Sequence, residues 1–474
     1  MTDTTLPPVG AGGSAKEAAQ PSAANKFYFI AWRWHFYAGL YVIPFLIMLA
    51  TTGLVMLWIS WMAGIGAERM IVQPGGEPRP LSVLQTAAET AILGGRATQY
   101  VEPLASDRVA VISVATGAGN TGVALSPYTG EMLHTFPWRA GAYDLANKIH
   151  GTLLLGSFGD RLIEIAASLG LMMVASGLYL HWPRRGGSWR DTLVPRHSAR
   201  GRTFWKSLHG VVGFWVSLML IVFLISGLSW AGVWGERMVQ AWSTFPAEKW
   251  DNVPLSDDVH AGMNHGPAKE VPWGLEQTPM PASGSLKGTA AITGPVDLDT
   301  VAAFARSLGF VGRFQINLPK GDAGVWTISH DSMSNDGPNP AADRTIHIDR
   351  FTGNVLADVR YADYSPYAKA MAWGIAFHEG DLGVWNVALN TAFCLSVLGV
   401  SLSGLVMWWK RRPSGAGRLA APPRPGDVPF WKGAAAFVVI LGIVFPLAGA
   451  AIVAVLLIDA ALLRLLPSVR RTLA

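Results

Sequence analysis

Five apolar runs, at about 36–58, 162–182, 211–234, 384–409 and 434–463, leave this sequence few folds. Each is near the roughly 20 residues that a helix needs to cross a bilayer. Only 15% of the 474 residues are charged, against about a quarter in an ordinary soluble protein. A disordered chain is therefore excluded, and a cytosolic enzyme is a poor fit. The first run is not a cleavable signal peptide: it is long, it holds Trp58, and no A-x-A site follows it. Many of the Trp residues flank the runs, where membrane-interface belts place them. The single cysteine, Cys394, excludes an internal disulfide, a Cys-rich zinc site and an iron–sulfur cluster held by this chain. No CxxCH occurs, which excludes c-type haem.

Lys and Arg in short loops set the orientation. Arg184, Arg185, Arg190, Arg196, Arg200, Arg202 and Lys206 follow the second run, opposed only by Asp191. Lys410, Arg411, Arg412, Arg418 and Arg424 follow the fourth. Both loops read as cytoplasmic, and Lys26 and Arg33 put the N-terminus there too. The chain then divides into a disordered cytoplasmic tail at 1–25, span one at 26–61, an outer module at 62–145 and span two at 146–183. A basic cytoplasmic loop at 184–204 leads to span three at 205–235, a second outer module at 236–372 and span four at 373–410. A loop at 411–432, a fifth apolar segment at 433–464 and a tail at 465–474 complete it. Phe445-Pro446 interrupts the fifth segment, which reads as either a kinked span or a re-entrant hairpin.

The two halves align. Gly53 lies 18 residues after His35, and Gly227 lies 18 after His209. "SGLYLHW" (176–182) answers "SGLVMWW" (403–409), and Tyr128-Thr129-Gly130 answers Phe351-Thr352-Gly353. Such repeats usually pack about a pseudo-two-fold axis with shared sites at their interface. In each outer module a helix (81–95, then 299–309) precedes strands with alternating patterning, including 108–115, 122–136 and 344–359. The expected fold is a membrane protein, an α-helical bundle of about five transmembrane helices built from two repeats, with two outer α+β modules.

Of eleven histidines, five lie in or beside the spans: His35, His150, His181, His209 and His378. An ionisable group there is costly and functional by default, and imidazole is the usual axial ligand of b-type haem. His35 and His209 begin spans one and three at the cytoplasmic edge. His150 and His378 precede spans two and four at the outer edge. The repeat thus offers one histidine from each half at each depth. The reading is two haems b, one held by His35 and His209, the other by His150 and His378. Arg33, Lys206 and Arg161 are candidate partners for haem propionates, since Arg and Lys suit carboxylates. Trp34, Phe36, Trp205 and Trp385 are candidates to pack on the rings. A lone interfacial histidine is more often an edge residue bonded to water or backbone; matched pairs at two depths favour ligation. His181 answers Trp408 in the other half and fits an aromatic belt, with ligation in place of His35 or His209 as the alternative.

Outside the spans, His260, Met263 and His265 form a soft set suited to copper, although their Gly/Pro-rich setting reads first as a polar loop. His347 alternates with Ile346 and Ile348 and is expected to face solvent. His134 and His330 have no partner in view.

The stretches "WRWHFYAGLYVIPF…TTGL", "KIHGTLLLGSFGDRLIEIAASLGLMMVASGLYLHWPRR", "FWKSLHGVVGFW…SGLSW" and "FHEGDLGVWNVALN…SGLVMWWKRR" resemble the PepSY-associated transmembrane helix family. The resemblance implies a bacterial inner-membrane protein with two periplasmic α+β PepSY-like domains, associated with iron uptake. It also implies, for some members, a haem-containing reductase of ferric siderophores, and carries the membrane histidines to His35, His150, His209 and His378. At position 181 many relatives have Trp.

The mechanism this suggests is transmembrane electron transfer to a ferric siderophore held by the outer domains. No GxGxxG, P-loop or flavin signature stands in a βαβ context, so the electrons are expected from a separate reductase, a quinol or a soluble carrier, among which the sequence does not choose. Two rivals remain: a non-redox regulator that binds a partner through its outer domains, and an iron-chelate permease. A permease would want polar groups at the membrane midplane, where Asn386 and Asn390 stand out. Nucleic acid is not an expected partner, because the basic residues cluster beside apolar runs rather than along one stripe. The lipid bilayer is.

Overall fold

The computed structural model describes residues 23–184, 187–264, 269–412, 421–422 and 432–465. Most of the N-terminal tail, Arg185, His265, most of the 411–432 loop and the tail beyond Leu465 lie outside the described residues.

Four helices are long and apolar enough to cross a membrane: α1 (Ala23–Ala63), α4 (Gly156–His181), α6 (Gly201–Leu228) and α9 (Val384–Arg411). They pack as a bundle, α1 against α4 and α9, and α6 against the same two. Val42, Leu46, Ala50, Phe393, Cys394 and Val397 form part of its interior. The short α5 (Trp189–Leu193) lies between α4 and α6 in the chain.

The stretches read as spans two and four each start with a separate short helix. α3 (Ala142–Thr152) precedes α4, and α8 (Pro366–Glu379) precedes α9. The two breaks are made differently. Gly380 and Gly383, at φ +92° and +101°, turn the chain after α8, a conformation open to glycine. After α3, Leu153 and Leu154 adopt φ +53° and +61°, which is strained for residues with a Cβ.

The fifth apolar segment forms α10 (Lys432–Val444) and α11 (Pro446–Leu465). A Cβ on Gly449 would lie 2.8 Å from the Gly442 Cα, whereas seven residues of straight helix span about 10 Å. The chain therefore folds back on itself at Phe445-Pro446. Phe445 stacks on Trp234 at 5.4 Å and joins a cluster with Ala167, Met172, Leu224 and Leu228, which seats the hairpin beside α4 and α6.

Outside the bundle, both modules share one antiparallel nine-stranded sheet. Its strands are β1 (Arg96–Val101), β2 (Ala110–Thr116), β3 (Gly119–Leu125), β4 (Met132–Pro137), β7 (Thr289–Ala290), β8 (Gln315–Asn317), β9 (Val325–His330), β10 (Arg344–Asp349) and β11 (Asn354–Arg360). Their order is β4-β3-β2-β1-β8-β9-β10-β11-β7. Instead of two separate domains, the modules meet at a β1–β8 seam, where Tyr100 pairs with Ile316 and the Gln99 amide donates to Gln315 at 2.6 Å. The β3–β4 and β10–β11 turns place Gly130 and Gly353 at φ +75° and +70°. One face packs on α2 (Leu81–Ala91) and α7 (Leu298–Ser307) through Leu84, Ala88, Ile112, Val301, Ile316, Ile328, Ile346 and Ile348. Part of the other face, together with α8, is covered by residues 245–264 and 269–275, through Trp250, Val271, Trp273 and Leu275. A two-stranded ribbon, β5 (Leu255–Val259) with β6 (Pro279–Pro281), lies in the connection between α6 and β7.

Candidate functional site

Each of the four paired histidines rests against a Ser-Gly or Thr-Gly step of a neighbouring helix. His35, on α1, leans on α4: its Nδ1 lies 3.1 Å from the Met173 carbonyl and 3.0 Å from Ser176 Oγ. His209, on α6, leans on α9 in the same way, 3.0 Å from the Val400 carbonyl and 3.1 Å from Ser403 Oγ. His150, on α3, sets Nδ1 2.8 Å from Thr52 Oγ1 of α1. His378, on α8, sets Nδ1 2.8 Å from Ser226 Oγ of α6.

The glycine that follows each hydroxyl residue lets the ring lie against helix backbone. A Cβ on Gly177 would stand 3.0 Å from His35 Cε1, and one on Gly404 3.4 Å from His209 Cε1. At Gly53 and Gly227 the corresponding gaps to His150 and His378 are 3.8 and 3.9 Å. The glycines in these motifs thus make room for histidines of neighbouring helices.

The four rings form two pairs. His35 and His209 have ring centres 6.3 Å apart with planes at 87°, and His150 and His378 are 6.4 Å apart at 82°. On α1 the seat of His150 lies 17 residues beyond His35, and on α6 the seat of His378 lies 17 beyond His209, about 25 Å along each helix. The His150–His378 pair is proximal to the sheet, because α3 follows β4 and α8 follows β11 in the chain. The His35–His209 pair is distal.

A third pair supplies a yardstick. His260 and His347 are fully buried under the sheet, with Nε2 atoms 2.9 Å apart and ring centres at 4.9 Å. The bundle pairs stand about 1.4 Å further apart. A metal ion bonded by two imidazoles from opposite sides, at about 2 Å each, sets their centres roughly 6.3 Å apart. With Nδ1 held by protein groups, Nε2 is the ring nitrogen left for a ligand. A metal-bound histidine almost always has its second nitrogen anchored in this way. The residues present therefore fit two-imidazole ligation of a metal at each of two depths.

His347 departs from expectation: the strand alternation holds, but the face opposite Ile346 and Ile348 is covered too. Thr327 Oγ1 lies 3.0 Å from its Nδ1, the Thr278 carbonyl lies 2.7 Å from His260 Nδ1, and Trp250 packs on both rings. Burial holds the His260 pKa down to about 4; burial and then His260 push His347 well below the usual histidine value. His260 is thus partnered by His347, while Met263 packs on the neighbouring apolar cluster. Among the described residues no group of three or more His, Cys, Asp or Glu side chains gathers as a metal site.

The other predicted residues are placed as follows. His181 Nε2 lies 3.0 Å from the Thr192 carbonyl, its ring rests against Gly210, and it is 6.2 Å from Phe214. Arg33 donates to the Pro422 carbonyl and to Tyr37 Oη. Arg161 pairs with Asp160 and lies 3.9 Å from Glu164, and Lys206 is exposed. Trp34 and Trp385 are exposed, Phe36 lies under the Arg411 guanidinium, and Trp205 meets Phe204. The ring nearest His378 is instead Phe223, at 4.4 Å, with Trp230 at 5.8 Å. Asn386 and Asn390, both buried, donate to the Phe377 carbonyl, and Asn390 also to that of His378, so they close the end of α8. Sequence reasoning did not assign these amides, the four hydroxyls or Phe223 to the histidines; the recurring Ser/Thr-Gly step was the visible signal.

Fold and site together define a membrane protein with several apolar helices, a β-rich sheet region and paired histidines between its helices. The family model for the PepSY-associated TM region matches residues 32–411, and the chain belongs to that family. No curated protein matches it.

Proposed function

We propose that this chain is an inner-membrane di-haem b electron-transfer protein that reduces a ferric siderophore in the periplasm. The observation that carries the reading is the spacing of its two imidazole pairs, 6.3 and 6.4 Å between ring centres, with each Nδ1 anchored. His35 with His209, and His150 with His378, would hold the two haems. Bound there, a haem iron supplies one-electron chemistry between its ferric and ferrous states.

The chain's own residues orient, shield and join the two sites. The Ser and Thr hydroxyls orient the imidazoles, and the glycines admit them to the helix interface. Phe223 and Trp230 shield His378 from water. Lys206 is the exposed cation nearest in sequence to His209 and remains the candidate propionate partner there, whereas Arg161 is committed to Asp160. The two repeats, related by a pseudo-two-fold axis, each give one ligand to each site. The PepSY-like modules stand on the periplasmic side, and the N-terminus and basic loops on the cytoplasmic side.

The substrate takes up one electron, and Fe(III) becomes Fe(II). Hard oxygen ligands then hold the iron less tightly, because the ion has lost charge and grown. A quinol or a cytoplasmic-side reductase supplies the electron. A permease reading is weakened by Asn386 and Asn390, whose amides are spent on the α8 end rather than turned to a substrate path.

Dithionite difference spectra of the purified chain test the reading. Haem b bands at about two haems per chain are expected, and a protein that stays colourless after expression with abundant haem overturns it.

A further inference from the structure

Each of the four hydroxyls beside the histidines has a backbone carbonyl of its own helix within reach of its proton. Thr52 Oγ1 donates to the Met48 carbonyl at 2.8 Å, Ser176 to Met173 at 3.0 Å, Ser226 to Val222 at 2.9 Å and Ser403 to Val400 at 2.8 Å. Such bonds to a carbonyl one turn back are the usual habit of Ser and Thr within helices. A hydroxyl has one proton and two lone pairs. A hydroxyl that gives its proton to that carbonyl meets the imidazole only as an acceptor, and the ring nitrogen facing it then carries hydrogen.

We infer that Thr52, Ser176, Ser226 and Ser403 are positioning residues that fix His150, His35, His378 and His209 as the Nδ1–H tautomer, with a bare Nε2 lone pair. A neutral imidazole has one donor and one acceptor nitrogen, and only the bare one can bind a metal. The hydroxyl therefore selects the nitrogen, and the following glycine sets the ring's distance from the helix. The inference deepens the haem reading in saying which groups ready the ligands, and it rests on that reading only for its metal-binding consequence.

The four seats are unequal. His35 and His209 face a carbonyl as well as a hydroxyl, at Met173 and Val400. His150 and His378 have Thr52 Oγ1 and Ser226 Oγ as the partners of their Nδ1 atoms. Removing the hydroxyl thus leaves His35 and His209 with a carbonyl acceptor, and His378 with none among the described bonds.

The experiment uses the full chain in lipid nanodiscs, with histidines labelled with nitrogen-15. Nitrogen chemical shifts of the haem-free protein report the tautomer, and haem titration reports affinity. In wild type all four rings are expected as Nδ1–H. Ser226→Ala is expected to give mixed tautomers at His378 and to weaken the sheet-proximal site by roughly 10- to 100-fold, the usual effect of losing such an anchor. Ser226→Thr is expected to restore both. Ser176→Ala and Ser403→Ala are expected to change tautomer and affinity less than Ser226→Ala does. A wild-type tautomer at His378 in Ser226→Ala overturns the inference, as does an effect at Ser176 equal to that at Ser226. The tautomer readout needs no haem, so it decides this point even if wild type binds none and the proposed function fails.

Discussion

The pair under the sheet and the pairs in the bundle use the same side chain to opposite ends. His260 and His347 close on each other at 2.9 Å and leave no room between them. His35 with His209, and His150 with His378, stand wider, at 6.3 and 6.4 Å between ring centres. Rings of both kinds are anchored at Nδ1, those under the sheet by the Thr278 carbonyl and Thr327 Oγ1, so an anchor alone does not open a gap. In the bundle each ring sits on a hydroxyl and a glycine of a different helix, and the packing of those helices sets the separation. The spacing of a histidine pair, more than its burial or its anchors, therefore separates a packed core from a pair able to share a ligand.

Substitution at the two kinds of pair should have opposite effects on haem and on folding. His378→Ala is expected to remove about one of the two haems proposed, with the distal one retained, as read by pyridine haemochrome against protein mass. His347→Ala should leave haem content unchanged and cost roughly 3 kcal/mol of sheet stability, from the cavity and from His260 left short of a partner. Equal haem loss in both variants would erase the contrast. A finer probe is the glycine. Gly177→Ala puts a Cβ 3.0 Å from His35 and should weaken the distal site severalfold, whereas Gly227→Ala, at 3.9 Å from His378, should titrate with haem nearly as wild type does.

The smallest expected effect is in pH. His260 and His347 stay neutral in the fold well below the pH at which they gain protons when unfolded. Between about pH 6.5 and 4 the unfolded chain binds more protons at these two positions, so their contribution to stability falls as pH falls. A double variant, His260→Leu with His347→Leu, lacks both titrations. In thermal melts, wild type should lose stability relative to that variant between pH 7 and pH 5, and parallel curves would reject the assignment.

Much of this was legible in the sequence because it is local or periodic. Apolar runs marked the helices now seen as α1, α4, α6 and α9, and paired spacing singled out the four histidines. Thr129-Gly130 and Thr352-Gly353 marked two turns, because glycine is needed there at positive φ. What stayed hidden lies far apart in the chain. Tyr100 and Ile316 pair across the sheet seam, and His260 meets His347. No pattern within either segment announces its partner. Spacing marked Gly53 and Gly227 in the sequence and tied them to His35 and His209, whereas they seat His150 and His378, because which ring enters which step depends on how four helices pack. Asn386 and Asn390 looked like polar groups lining a path, because the α8 end they close becomes visible only in three dimensions.

The shared sheet sets a mechanical condition on the proximal histidines. β4 and β11, seven strand spacings apart, would stand about 34 Å from each other in a flat sheet. Yet the imidazoles carried on the helices that follow them have centres 6.4 Å apart. By length, α3 and α8 reach roughly 16 and 21 Å, so the two together are just long enough to bridge that width. The pair is held like the closed jaws of a calliper whose beam is the sheet. A twist or bend of the beam acts first on the jaws, while His35 and His209 lie about 25 Å further along α1 and α6.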